Sequence, residues 1–161
     1  MKSISQGLFK AVCTNPDGSV AWEESFSNGT TDQGRALGLT NIFTAGSQSA
    51  SWFIGLISTT SFSALSTLDT AAVHSGWIES VAYTEATRRQ WNPASPISSA
   101  GTTTMTSSSS IVFTANASVS IKGAFLSSTS AKSSTAGVLW ATGVFVSDQN
   151  LITGQSISIT Y

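Results

Sequence analysis

The sequence predicts an all-β, mainly antiparallel fold: a jelly-roll-like β-sandwich forming a single domain over residues 1–161, with one short helix near residues 32–43. Three observations predict it. Short runs rich in Val, Ile, Thr, Ser and aromatic residues recur along the chain, separated by Gly, Asn, Pro and Ser breaks. No helical pattern alternates with these runs, which argues for antiparallel pairing rather than a parallel sheet. Only one stretch carries apolar residues at helical spacing. With 161 residues and 40% hydrophobic content the chain is long enough and apolar enough for one buried core, despite its Ser/Thr richness.

The elements follow in order. Leu8 to Cys13 reads as a strand, Asn15-Pro16-Asp17-Gly18 as a turn whose Asp-Gly pair supplies positive φ, and Val20 to Phe26 as the return. Val20, Trp22, Glu24 and Phe26 share a face, with Glu24 the dissenting member, and Asn28-Gly29 is read as the strand break. Thr31 or Asp32 then caps the helix, whose Ala36, Leu37, Leu39, Thr40 and Phe43 form the expected packing face. Gly34 and Gly38 each weaken it by up to about 1 kcal/mol, and Ala45-Gly46-Ser47 ends it. Ser51 to Ile57 is apolar on both faces apart from Ser and Gly, the pattern of a central, doubly covered strand.

Ser61 to Ser75 reads as a long connection with a helical turn at Asp69–Val73, and Trp77 to Tyr83 as strand again. Pro93 and Pro96 mark a loop, and Thr102 to Ser110 a Thr-rich strand. Ser110–Thr114, Ser118–Leu126, Val138–Val146 and Gln155–Tyr161 complete the set.

Composition narrows the function classes. Net charge near −1 and a pI of about 5.6 remove the basic footprint of a nucleic-acid binder. No apolar run is long enough to span a bilayer, and Met1 to Gly7 lacks the apolar stretch of a secretory signal, so the expectation is a cytoplasmically folded chain without nucleic-acid or membrane partners. The lone Cys13 sits among apolar neighbours and reads as a small buried side chain. From Trp91 onward the only formal charges are Lys122, Lys132 and Asp148. Such a polar, uncharged surface repels other protein weakly and suits a molecule packed against copies or partners. Ser156, Ile157, Ser158 and Ile159 form a candidate assembly strand, because uncharged edges leave β-augmentation open.

Catalytic patterns are scarce. The single histidine, His74, has Cys13, Asp69 and Glu79 as its only conceivable metal co-ligands, at no recognised ligand spacing. A Ser-His-Asp arrangement through Asp69 and His74 lacks the nucleophile-elbow motif. Glu23 and Glu24 point to opposite strand faces, and Glu79 reads as an ion-pair partner of Arg88 or Arg89 rather than as a glycosidase acid beside Glu85. The expectation is no enzyme, no metal and no cofactor. Trp22, Trp52, Trp77, Trp91 and Trp140 are the candidates for sugar stacking; core is the default for most, and Trp91, beside prolines, is expected to be the most exposed of them.

One resemblance goes further. The stretch Trp52-Phe53-Ile54-Gly55-Leu56-Ile57 is followed by Asp69-Thr70, small residues, His74, Gly76-Trp77 and Glu79, then by Tyr83 and Arg88-x-x-Trp91, and later by Ile121-Lys122-Gly123-Ala124-Phe125-Leu126. In this order the segments resemble small virion proteins of tailed bacteriophages, of the jelly-roll head-decoration (cement) type. The one departure is Val73, where that motif has Ser. The resemblance implies a structural virion protein on the capsid surface, assembled in the host cytoplasm. It would bind major capsid protein, clamp neighbouring capsid subunits, and act as a homo-oligomer, dimer or trimer. It also implies that Asp69, His74, Gly76, Trp77, Glu79, Tyr83, Arg88 and Trp91 determine the fold: Asp69 caps a turn, His74 bonds the loop, Gly76 bends the chain and Trp77 fills the core. Alternatives are a tail or neck component such as a tail-tip adhesin, or a carbohydrate-binding β-sandwich module.

Overall fold

A computed structural model describes residues 7–44, 46–49 and 51–161. The leader reading of Met1 to Gln6 and the Ala45 of the helix stop lie outside the described residues. The chain is mainly antiparallel β with one helix: β1 Leu8–Thr14, β2 Val20–Thr30, α1 Asp32–Phe43, β3 Trp52–Ser58, β4 Glu79–Ser80, β5 Arg89–Trp91, β6 Ile97–Ser99, β7 Thr102–Thr104, β8 Ile111–Thr114, β9 Val119–Ser127, β10 Leu139–Leu151 and β11 Ser156–Thr160. Nine strands form one curled sheet in the order β4-β3-β9-β10-β2-β1-β11-β8, with β5 also on β3; β6 and β7 stand apart as a two-stranded hairpin.

The β1–β2 turn is stitched by Asn15 N–H to Ser19 O (2.8 Å) and Gly18 N–H to Asn15 O (2.9 Å). Only Gly18 takes positive φ (84°). Asp17 serves differently from the expectation, because its carboxylate accepts from both the backbone N–H and the hydroxyl of Ser19. Those bonds hold its pKa below the usual value.

Asn28-Gly29 does not break β2. Val20 to Ser27 pair with β1, and Asn28 to Thr30 continue along β10, so the strand passes from one half of the sheet to the other at this point. Asn28 fixes the corner: its Oδ1 accepts from Gly7 N–H (2.7 Å) and its Nδ2 donates to the Tyr161 hydroxyl (2.7 Å). Glu24, half-buried, gives its carboxylate to Val146 N–H (2.6 Å) and Gln149 Nε2 (2.7 Å), across from the irregular middle of β10.

The helix starts as predicted, with Thr31 Oγ1 accepting from Gly34 N–H (3.0 Å). Its packing face is the reverse of the expected one. Gly34 and Gly38 lie against Trp140, where a Cβ on Gly34 would fall 2.5 Å from the Trp140 carbonyl oxygen, while Leu39, Ile42 and Phe43 are exposed. The glycines that weaken the isolated helix are therefore the residues that let it dock.

Two other expectations fail locally. Asp69–Val73 forms bends rather than a helical turn, and only Glu79 and Ser80 of the Trp77–Tyr83 run pair as strand, after which Val81 turns outward. The expected Thr102–Ser110 strand shortens to β7, paired with β6 in a segment read as loop. Beyond Ser80 the chain leaves β3, and beyond Thr104 the ladder becomes irregular, continuing only through the isolated Pro93–Ser107 bridge.

The two ends of the sheet meet. Tyr83 bridges Ala115, Thr84 N–H reaches Thr114 O (2.9 Å), and Asn116 N–H reaches Ala82 O (3.3 Å). Inside the curl Phe9, Phe26, Tyr83, Trp91, Phe113, Phe145, Ile157 and Ile159 form the main core. A second cluster of Ile57, Ala71, Trp77, Phe125 and Leu139 lies beneath the 61–77 connection. β3 is thus covered on both faces, with Ile54 through Ser58 all buried.

Candidate functional site

Six of the motif residues converge where the 61–77 connection, β4 and the β9–β10 loop meet. Asp69 accepts from Trp77 Nε1 (2.9 Å) and from Ser66 N–H (3.0 Å) through Oδ2. The His74 ring stacks on Trp77 with centroids 4.1 Å apart. Its Nδ1 lies 3.0 Å from the Trp77 carbonyl, and since a carbonyl only accepts, Nδ1 carries the proton. Gly76 is small for a steric reason: a Cβ there would sit 2.1 Å from Ala64 O.

The centre of the group is an ion pair. Arg88 Nε and Nη2 meet the two carboxylate oxygens of Glu79 at 3.0 and 2.9 Å, with both side chains about 5% exposed or less (5% and 4%). Arg88 Nη1 donates to Thr129 O (3.1 Å) and Ser127 Oγ (3.4 Å), and Nη2 to Ser134 O (3.4 Å). Glu79 accepts a further bond from Ser133 N–H (2.6 Å). The guanidinium also lies 4.9 Å over the Phe125 ring. Every N–H of Arg88 is thereby used, so it has none left for an anionic ligand, and the carboxylate is held as an acceptor only.

Around this pair opens a cleft of about 280 Å³, lined among others by His74, Trp77, Arg88, Ser134 and Leu139. Among the described residues no three of His, Cys, Asp and Glu gather as a metal site, and no helix is long and apolar enough to cross a membrane.

Tyr83 and Trp91 belong to the main core instead. Tyr83 is buried with its hydroxyl unpaired among the described residues, and Lys132 Nζ sits 3.7 Å over its ring and 3.0 Å from its carbonyl oxygen. Burial, reinforced by the charge of Glu79, raises the Tyr83 pKa; burial also lowers that of Lys132, against Glu85 and Glu79. Trp91 is 9% exposed, a correction to its expected exposure, and donates to Ser107 Oγ (3.0 Å). None of the five tryptophans is exposed.

The candidate assembly strand is also corrected. Ser156, Ile157, Ser158 and Ile159 lie in β11, which pairs with β1 on one side and β8 on the other, and Ile157 and Ile159 are fully buried. No backbone edge remains there for strand addition. Part of the charge-poor half is interior for the same reason.

Sequence reasoning missed the β9–β10 loop as a partner of the motif, and it missed Gln33. The Gln33 side-chain oxygen accepts from Ala71 N–H (3.2 Å) and Leu139 N–H (2.8 Å), tying the helix to both. Lys132 carried a legible signal as one of three charges after Trp91; Gln33 carried none. Compared with protein-family models, curated proteins and solved structures, the chain matches none.

Proposed function

We propose that this chain is a structural protein of a tailed-bacteriophage virion. In this reading it is a jelly-roll-type decoration or cement subunit that binds major capsid protein as a homo-oligomer and acts at the capsid surface. The observation that carries the reading is the internal use of the motif from Asp69 to Trp91. Its charged and hydrogen-bonding atoms are engaged in holding loops to the sheet, which leaves binding to the polar, charge-poor exterior. That division of labour fits a scaffold whose work is surface complementarity.

Fractionation of purified particles tests it. The protein is expected with heads, and heads stripped of it are expected to rupture at lower temperature or osmotic stress. Recovery with tails would replace this reading by the tail or neck one. Every tryptophan is at least partly buried, so none stands fully open to solvent as a sugar-stacking platform would.

A further inference from the structure

We propose that the β6–β7 hairpin is a dimerisation arm that joins a second copy of this chain edge to edge along β7, about a two-fold axis at Thr103. The hairpin lies outside the main sheet, and its strands pair only with each other. From Asn92 to Ser110 no residue is buried. The ladder extends to its base through Ala94 N–H to Thr106 O (2.7 Å) and Ser108 N–H to Asn92 O (2.8 Å), and Ser107 N–H anchors it to Tyr161 O (2.8 Å). At the tip Ala100 and Gly101 both take positive φ (49° and 79°), the two-residue turn that suits the twist of a hairpin.

Register decides which backbone groups are free. Ser99 and Thr102 flank the turn as a hydrogen-bonded pair, and so do Ile97 and Thr104 one step beyond Ser98↔Thr103. Ser98 and Thr103 therefore point their N–H and C=O away from the hairpin, one on each free edge. The edges are unequal. Pro96 immediately precedes β6 and has no N–H, a common guard against strand addition. β7 is followed by Met105 and Thr106, with neither proline nor charge.

Charge favours a copy as the occupant. An edge that pairs with itself is isologous and sets identical residues near one another, so any charge would oppose its like. No residue from Asn92 to Ile121 is charged. The ends of the main sheet differ: β8 is engaged by Thr84 and by the Glu85 carboxylate on Thr114 N–H, and β5 carries Arg89. Strands of three residues are too short to bury the roughly 1,000 Å² of a stable interface, so the dimer is weak and depends on concentration. This inference deepens the homo-oligomer element of the reading above and rests on it.

Sedimentation equilibrium of the whole chain, from micromolar to near-millimolar concentration, is the test. The wild type is expected to show a reversible monomer–dimer equilibrium. Thr103→Pro, which removes an outward N–H and no backbone bond within the hairpin, should weaken it at least tenfold; Ser98→Pro, which loses the same Ser98 Oγ–Thr103 Oγ1 hydrogen bond (2.8 Å), should leave it unchanged. Thermal melts of both report folding, and Thr103→Lys gives a second arm, with dimerisation lost at low salt and recovered at high salt. A wild type monomeric throughout, a Thr103→Pro variant that dimerises normally, or dissociation by Ser98→Pro alone would each overturn the proposal. A monomer still found on heads would sink the arm and spare the capsid reading. An arm-dependent dimer absent from heads would do the reverse.

Discussion

Trp77 donates its indole N–H to the Asp69 carboxylate at 2.9 Å, and both side chains are buried. The same carboxylate oxygen holds Ser66 N–H, so one atom ties the 61–77 connection to the residue that fills the second core cluster. Asp69→Ala should cost about 1–3 kcal/mol because it leaves a buried donor unpaired. Urea unfolding of Asp69→Ala, Trp77→Phe and the double variant measures the coupling. Strictly additive losses would show that the bond contributes nothing of its own.

Glu79 and Arg88 are more exacting. Removing either partner alone strands a charge that the fold otherwise excludes from water, and Glu79→Gln or Arg88→Met is expected to lose about 3–5 kcal/mol. The double replacement Glu79→Leu with Arg88→Met should lose less than the worse single variant. Equilibrium denaturation of the three proteins settles the order.

Glycine positions separate sharply. A Cβ at Gly123 would meet the Gly143 carbonyl oxygen at 2.0 Å, backbone against backbone, whereas one at Gly29 meets nothing within 4 Å. Gly123→Ala should therefore destabilise by more than about 1 kcal/mol as β9 and β10 are forced apart. Gly29→Ala should be neutral or stabilise by up to about 1 kcal/mol through the unfolded chain. Thermal melts of the pair suffice.

Alkaline pH should unfold the protein through its tyrosines. Tyr83 and Tyr161 are its only two, and burial raises both above the ordinary phenol value of 10.0. Between that value and the raised ones the folded chain keeps protons that the unfolded chain has released. Their stabilisation is thus complete below about pH 10 and lost as pH rises through the folded values. Lys132, lowered by burial, acts in the opposite sense. Absorbance at 295 nm should show no native tyrosine titration at pH 10, while the denatured protein titrates there. Tyr83→Phe removes the unpaired buried hydroxyl and should hold or raise stability by about 1 kcal/mol while flattening the alkaline loss.

Elements governed by their own residues were legible in sequence. The β1–β2 turn, the Thr31 cap and the doubly covered β3 each follow from local chemistry. Elements defined by distant neighbours were not. Nothing local distinguishes Gly34 as a docking point from Gly34 as a weakness, because the difference is Trp140, far along the chain. Alternation in β11 announced a half-buried strand and was silent on whether its edges were occupied. At the site, the motif was readable as a group and its carboxylate–guanidinium pairing as an option. The loop that closes over it, Thr129 to Ser134, has only Lys132 to mark it among Ser, Thr and Ala.

β1 lies between a strand one turn away and another at the opposite end of the sequence: Lys10 faces Ser25 on one side and Thr160 on the other. The first pairing is available almost as soon as the hairpin leaves the ribosome; the second must wait until β11 has been made. Closing such a long loop is entropically slow, and sheets built on it fold over milliseconds to seconds. Through that interval Phe9, Ala11 and Cys13 have no Ile157 or Ile159 beside them. The nascent hairpin bares an uncovered apolar face and an open β1 edge together. The hazard of unwanted association in this chain is therefore concentrated in time, during synthesis, and the arrival of β11 ends it.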